Sequence, residues 1–527
     1  MGAVNTSAWT PFTSQVFLVM WVALLVGHVG TWMRDVGAGW LMTTLSASAT
    51  SVALVQAATT LPIFLLSLPA GALADIVDRR RMLLGLLVVM GVVSAAMAVA
   101  TQLGFMTPTL LIVGLLCAGV GTAMMTPVLQ SLTPLMVERS QLRQAIALNS
   151  MGMNVSRAIG PAVGGLVVAS MGVAWTFVAD AVSYLALLAA VWWWKGASVR
   201  SSVGAAESFG PAMLIGIRFS LNAPALQRVL LRAGSFFLFA SAYWALLPLI
   251  ARRQLQGDAT VYGLLLTSVG LGAVGGALLL PSLRRRWSGE AVVRAGTALT
   301  VVVLLVLAVG RQPALAMLAL AVAGAAWIAV LTTANVTAQS QLPNWVRGRG
   351  LAVYLTVFYG AMTLGSFAWG RLADALGIPL ALQLAAGLGL AVLALSFLKP
   401  LPDSEPDLTP ASHWPEPVLH TDIAADRGPV MVTVTYEIAP QDSATFLGAL
   451  NRLSAERLRD GAFRWGVFED LQHPGRFVET FFLATWAEHE RQHRRVSKAD
   501  AEVQQAVIAL HRGEQPPVVA HWLAAVA

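Results

Sequence analysis

Thiols and charges are what this chain most lacks. Cys117 is the only cysteine in 527 residues, which excludes an intrachain disulfide framework and leaves no cysteine cluster for a metal. Charged residues make up 12% of the sequence, where a soluble protein carries about a quarter. No Gly-x-x-x-x-Gly-Lys-Ser/Thr phosphate loop occurs, so the energy for any work must come from an ion or substrate gradient. No basic stretch precedes Phe12, and the first apolar segment therefore reads as a retained helix rather than a cleaved signal peptide.

What the chain has in excess is apolar sequence, 57% of all residues, with a mean hydropathy of +0.69. A helix needs about 20 apolar residues to cross the hydrocarbon of a bilayer. Runs of that kind, separated by charge or by Gly and Pro, fall near 15–43, 49–72, 82–101, 108–130, 144–168, 173–194, 228–250, 260–281, 291–309, 313–336, 350–373 and 379–398. Twelve spans are expected, in an all-α membrane part made of two six-helix bundles, 1–195 and 228–398, joined by a cytoplasmic loop, 196–227. A β-barrel would need short alternating strands, and the apolar runs exclude it.

Charge is distributed in two opposed blocks. The first 400 residues carry 23 Lys/Arg against 9 Asp/Glu, and the last 127 carry 11 against 18. The basic pI therefore belongs to the membrane part and implies no nucleic acid partner. Loops after the even-numbered spans hold fifteen Lys/Arg and the opposite loops hold three, Arg252, Arg253 and Arg311. This positive-inside asymmetry places both termini in the cytoplasm of a bacterial inner-membrane protein.

The chain also repeats itself at an offset of 205 residues. Gly71-Ala72-Leu73 precedes Arg79, Arg80 and Arg81, and Gly276-Ala277-Leu278 precedes Arg284, Arg285 and Arg286. Gly160 and Gly165 recur as Gly365 and Gly370. Two parallel six-helix repeats rocking about a central site would give this pattern.

Polar residues within spans are costly unless paired or wet, and so mark candidate functional positions. Arg34 and Asp35 lie inside the first span, Arg157 in the fifth and Asp180 in the sixth. Asp35 is the first candidate for a proton-coupling carboxylate; a structural ion pair with Arg157 is the competing reading. Arg34 and Asp35 project about 100° apart and are not expected to pair. Arg157 either lines the cavity or pairs with Asp180. Gln56, Asn149, Asn154 and Asn335 are candidate cavity hydrogen-bonding groups. Trp32, Tyr243, Trp244, Trp327, Phe358 and Tyr359 are candidate cavity aromatics, with interfacial packing as the plainer alternative.

The segment Gly71-Ala-Leu-Ala-Asp75-Ile-Val-Asp78-Arg79-Arg80-Arg81 resembles the loop signature between the second and third helices of the major facilitator superfamily. Gly30-Thr-Trp32-Met-Arg34-Asp35, Gly39-Trp40, Pro62, Asn149, Gly160-Pro161-Ala-Val-Gly164-Gly165 and Pro343 through Arg347-Gly348-Arg349 resemble one branch of it, the bacterial drug-efflux and siderophore-export transporters also called transmembrane secretion effectors. The resemblance implies export of a small amphiphilic molecule by proton antiport, with Gly71, Asp75, Arg79 and Arg80 as a conformational latch. Asp78 stands where the general signature has glycine. A lipid or lysophospholipid is the alternative substrate, and an enzyme or sensor acting through the C-terminal region is the alternative from another class.

Residues 399–429 hold seven prolines and six acidic residues and read as an extended linker. Beyond it the order of alternating and amphipathic segments is β-α-β-β-α-β across 430–525, a ferredoxin-like α+β domain. It resembles the dimeric α+β barrels related to antibiotic-biosynthesis monooxygenases, which implies self-association. His489-Glu490-Arg491-Gln492-His493 matches the His-Glu-x-x-His zinc pattern, with His511, Glu514 or His521 as a third ligand. Arg491, Arg494 and Arg495 crowd the segment, and the domain is small for a protease. The match is read as accidental, with no metal, cofactor or catalytic residue assigned. The expected partners are a small-molecule substrate, protons and membrane lipids.

Overall fold

The computed structural model describes residues 9–76, 78–194, 209–402, 406–409, 411 and 423–525, with the side chains at 68, 71–76 and 209–213 outside the description. Six long helices make the first half: α1 (Gln15–Leu45), α2 (Ala49–Ile76), α3 (Arg79–Gln102), α4 (Pro108–Met136), α5 (Leu142–Met171) and α6 (Ala174–Trp193). A shorter helix, α7 (Phe209–Asn222), falls in the stretch expected as an inter-bundle loop. Then come α8 (Pro224–Leu249), α9 (Ala259–Arg284), α10 (Gly289–Val309), α11 (Pro313–Ser340), α12 (Arg347–Leu376) and α13 (Ile378–Ser396). Each expected span overlaps one long helix. Among the described residues, eleven helices are long and apolar enough to cross a membrane; α5, which carries Arg143, Asn149, Asn154 and Arg157, is not among them.

The helix starts are written in the sequence. Ser14, Thr107, Asp258 and Ser288 each accept a bond from a first-turn amide of the helix that follows, satisfying donors that have no partner within the helix. Asp78 does the same for α3, taking the Arg81 amide at 2.8 Å. That gives the departure from the family signature a local use.

The 205-residue repeat is visible in the packing. Gly172 and Gly377, a pair at that offset, adopt φ of +95° and +86° at the tight turns α5–α6 and α12–α13, a backbone region that suits glycine. A Cβ on Gly160 would lie 2.6 Å from Trp32 of α1, and one on Gly365 would run into Ser241 and Leu238 of α8. Gly165 meets Ala259 and Gly263 of α9, while Gly370 meets Thr50 and Ala53 of α2. The same glycine positions thus allow α5 to cross α9 and α12 to cross α2 at backbone distance.

The C-terminal region contains β1 (Val430–Glu437), α14 (Ser443–Arg459), β2 (Arg464–Glu469), β3 (Arg476–Leu483), α15 (Trp486–Arg495), α16 (Lys498–Ile508) and β4 (Val518–Leu523). Its four strands form one antiparallel sheet in the order β2-β3-β1-β4. Val430, Val432, Val434 and Tyr436 alternate onto the buried face and pack with Phe446, Leu450 and Leu453 of α14. The sheet is open, with β2 and β4 as its edges, and the expectation of a barrel fails. Alternation specifies which face is buried; it does not specify closure.

Contacts divide the chain into two compact units, Met1–Ala206 with Leu231–Asn335 and Tyr354–Leu401, and Glu207–Leu230 with Val336–Val353 and Pro402–Ala527. In the second unit, α7 packs on α14. Arg218 donates to the Gly461 carbonyl at 3.0 Å, Arg459 lies over Phe219, and Arg495 lies 4.4 Å from the ring centre of Trp345.

Candidate functional site

The first half is built around a buried guanidinium. Arg34 on α1 donates through Nη2 to Asp35 Oδ1 at 2.9 Å, and through Nη1 to Asp180 Oδ2 and the Tyr184 hydroxyl on α6, both at 3.4 Å. Ser94 of α3 donates to the same Asp180 oxygen at 2.6 Å, while Asp180 Oδ1 has no partner. The Asp35 side chain is 34% exposed and that of Asp180 is 0%. Three helices therefore meet at one cation shared by two carboxylates. The expected pairings are corrected here. Adjacent Arg34 and Asp35 do pair, because a long guanidinium stem curls back across the 100° that separates their Cβ directions. Asp180 takes Arg34, and Arg157 pairs with neither carboxylate.

Arg157 instead lies 5.9 Å from the ring centre of Trp32, with Tyr359 and Tyr243 in electrostatic reach. Tyr243, Trp244, Trp327, Phe358 and Tyr359 form one continuous aromatic cluster from α8, α11 and α12. Phe236 and Phe237, passed over in the sequence, extend it. The buried Tyr243 hydroxyl and Trp244 indole N–H have no hydrogen-bond partner. Of the polar candidates, Asn149 donates to Thr133 at 3.3 Å and Asn154 to the Ser150 carbonyl of its own helix at 3.0 Å. Gln56 is half-buried on α2, and Asn335 on α11 is engaged.

One end of the first unit is closed by contacts between its halves. Asp374 on α12 accepts from the Ala49 and Thr50 amides at 2.5 and 2.9 Å, and from the Ser48 and Thr50 hydroxyls at 2.7 and 2.5 Å. A carboxylate from one half thus caps the first turn of a helix in the other, where the dipole favours negative charge. Arg252 donates to Thr43 Oγ1 at 2.8 Å and Arg253 to the Ala47 carbonyl at 2.5 Å, from a π-helical turn, Ile250–Gln254, that follows Pro248.

The latch candidates divide. The surroundings of Gly71 and the side chain of Asp75 lie outside the description, and Arg79 is engaged. Arg80 donates to the Val191 and Trp192 carbonyls at 3.3 and 2.8 Å, tying the start of α3 to the end of α6 within one half. A group missed in the sequence is Glu290 on α10, which binds Arg232 and Arg294 at 3.2 and 2.7 Å and accepts the Leu401 amide at 2.9 Å. A lone Glu at a helix start beside a loop reads as a cap, and gave no signal of this burial. In the C-terminal region, the two histidines of the motif set aside as accidental converge with His521.

The family profile described as transmembrane secretion effector matches residues 6–527. Over 262 residues the chain is 27% identical to the Staphyloferrin A transporter of Staphylococcus aureus, covering 48% of this chain and 64% of that one, so it spans somewhat under two thirds of that relative. Over 380 residues it is 27% identical to the multidrug efflux pump Tap of Mycolicibacterium fortuitum, covering 69% and 90%. The crystal structure of the nucleoside transporter NupG superposes with a TM-score of 0.62 at 11% identity, covering 73% of this chain and 99% of that one, which speaks to the fold alone. The chain belongs to the transmembrane secretion effector family, bacterial multi-pass inner-membrane transport proteins of the major facilitator type.

Proposed function

We propose that this protein exports a small amphiphilic molecule, drug-like or siderophore-like, from the cytoplasm in exchange for protons. The observation that carries the reading is Arg34 shared between Asp35 and Asp180. One guanidinium cannot balance two carboxylates, one fully and one partly buried, equally well, so a proton on one of them is favourable. Asp35 is the partly exposed member, and protonating it leaves Arg34 to Asp180. Exchange of solvent access between the two sides then moves one proton per cycle against substrate. Arg157 and the aromatic cluster supply a cation, ring faces and two unsaturated donors, suited to an anionic or polar group on an apolar body. The efflux relative supports export.

The arginine asymmetry supports cytoplasmic termini, and with that orientation the Asp374 closure is on the outer side. Asp35→Asn fixes the neutral state. In proteoliposomes with an imposed pH gradient, screened with cationic dyes and hydroxamate and carboxylate chelators, it is expected to abolish gradient-driven flux while keeping substrate binding and thermal stability. Unchanged proton release on substrate binding and unchanged flux in Asp35→Asn would remove Asp35 from this role.

A further inference from the structure

We propose that His489, His493 and His521 form a binding site for one divalent transition-metal ion of the zinc class in the C-terminal domain. His489 and His493 stand one turn apart on α15 and present to the same side. His521 lies on β4 directly opposite Val432 of β1, and that register puts it on the helix-covered face of the sheet. The three residues each offer a ring nitrogen, all within 4.8 Å of one another. Ring centres of His489 to His493 and of His489 to His521 are both 4.7 Å apart.

The need for a ligand is visible at His489. Its ring is 1% exposed, and neither Nδ1 nor Nε2 has a hydrogen-bond partner. A buried imidazole with both nitrogens idle is unfavourable, and an ion bound through one of them removes part of that deficit. Bonds of about 2.0–2.1 Å to a tetrahedral ion space ligand nitrogens about 3.4 Å apart, within reach of small side-chain rotations. An all-imidazole set suits Zn²⁺, Cu²⁺ or Ni²⁺ over Mg²⁺ or Ca²⁺. Arg457, a cation within electrostatic reach of His493, is engaged by Glu479.

The other sequence candidate, His511, is committed elsewhere, taking the Glu437 amide at 2.9 Å and pairing with the Gln515 carbonyl at 2.8 Å. Glu490 accepts from the Trp486 indole at 3.2 Å and faces Arg494 at 3.8 Å, so the motif's usual general base is directed to its own helix. The site is one of binding, without hydrolysis.

The test uses full-length protein in detergent, free of any affinity histidine tag and stripped with EDTA. Titration with Co²⁺ is expected to give the visible d–d bands of a tetrahedral site at one equivalent, displaced by Zn²⁺ and not by Mg²⁺. His493→Gln, at a half-buried position, and His521→Gln are each expected to weaken binding at least tenfold, with His511→Gln unchanged. If wild-type protein binds no more Co²⁺ than His489→Gln/His493→Gln/His521→Gln, or if His493→Gln and His521→Gln both retain wild-type affinity, the site is refuted.

Discussion

Buried charge is handled differently in the two parts of this chain. In the C-terminal domain Glu479 accepts from Tyr436, Arg457 and Trp465 at 3.2, 3.2 and 3.0 Å. Asp500 likewise takes Arg459, the Ser497 hydroxyl and the Ser497 amide at 2.8, 2.7 and 2.9 Å. These carboxylates are saturated, and saturation fixes a single arrangement. In the membrane part, one Arg34 of the first bundle serves two acids, Asp180 keeps an idle oxygen, and Tyr243 and Trp244 of the second bundle hold buried donors without partners. Under-satisfied polar groups mark where a membrane transporter keeps alternatives open. By the same measure His489 and its helix neighbour Gln492 are exceptions within that domain.

The comparison is tested most severely by Glu479→Leu. It strands Arg457 in the core, and a loss of about 3–5 kcal/mol is expected for breaking such a pair from one side. Hydrogen exchange on full-length protein should show β1 and β3 losing protection while α1–α6 keep theirs. Asp180→Leu should cost less, about 1–3 kcal/mol, because Arg34 retains Asp35; detergent-phase thermal unfolding measures it. An effect as large as that of Glu479→Leu would show the bundle site to be as structural as the other. Asp374→Ala removes the cap of α2 and should cost about 1 kcal/mol, while raising the accessibility of a cysteine placed at Ala53 to a membrane-impermeant reagent from the outside.

The smallest effect is a pH slope in the metal-free C-terminal domain. His489, His493 and His521 have lowered folded pKa values, so below about 6.5 the unfolded chain takes up protons first and stability falls as pH drops. Glu456 acts oppositely. Burial, reinforced by Asp500, raises it to about 8, so the folded state binds the extra proton and gains as pH falls from 8 to 4.5. Three histidines outweigh one glutamate below 6.5, and the optimum is expected between 6.5 and 7. Exchange protection of β1, corrected for intrinsic rates, should decline from pH 6.5 to 4.5; a rise would reverse the assignment.

Spans, caps and the repeat were legible because they depend on local composition and on glycine spacing. The order of strands and helices in the C-terminal domain was legible for the same reason, apart from the break that divides the last helical region into α15 and α16. Pairings across helices were not, since Arg34 reaches either Asp35 or Asp180 depending on how α1 and α6 rotate. Sheet closure was misjudged because alternation is blind to what lies beyond an edge strand. The third histidine was one of three named options, and only the register of β4 on β1 singles out His521. Glu290 shows the opposite limit: its burial depends on Arg232 and on Leu401, 58 and 111 residues away.

Asp374 holds α2 partly through main-chain amides, and this has a consequence for how the closure is inherited. Ala49 contributes only its N–H to that contact, so no particular side chain is needed to make it; proline would remove the donor, and burial of the Ala49 methyl keeps the residue small. The chemical constraint falls on position 374, while position 49 is held only to a small residue with an N–H. Comparing many sequences for paired changes would therefore register strong restriction at one position and no covariation with the other, although the two atoms are among the closest between the halves. The side-chain partners, Ser48 and Thr50, can exchange hydroxyl-bearing residues with each other's support. A gate built on backbone leaves little trace in its partner's alphabet.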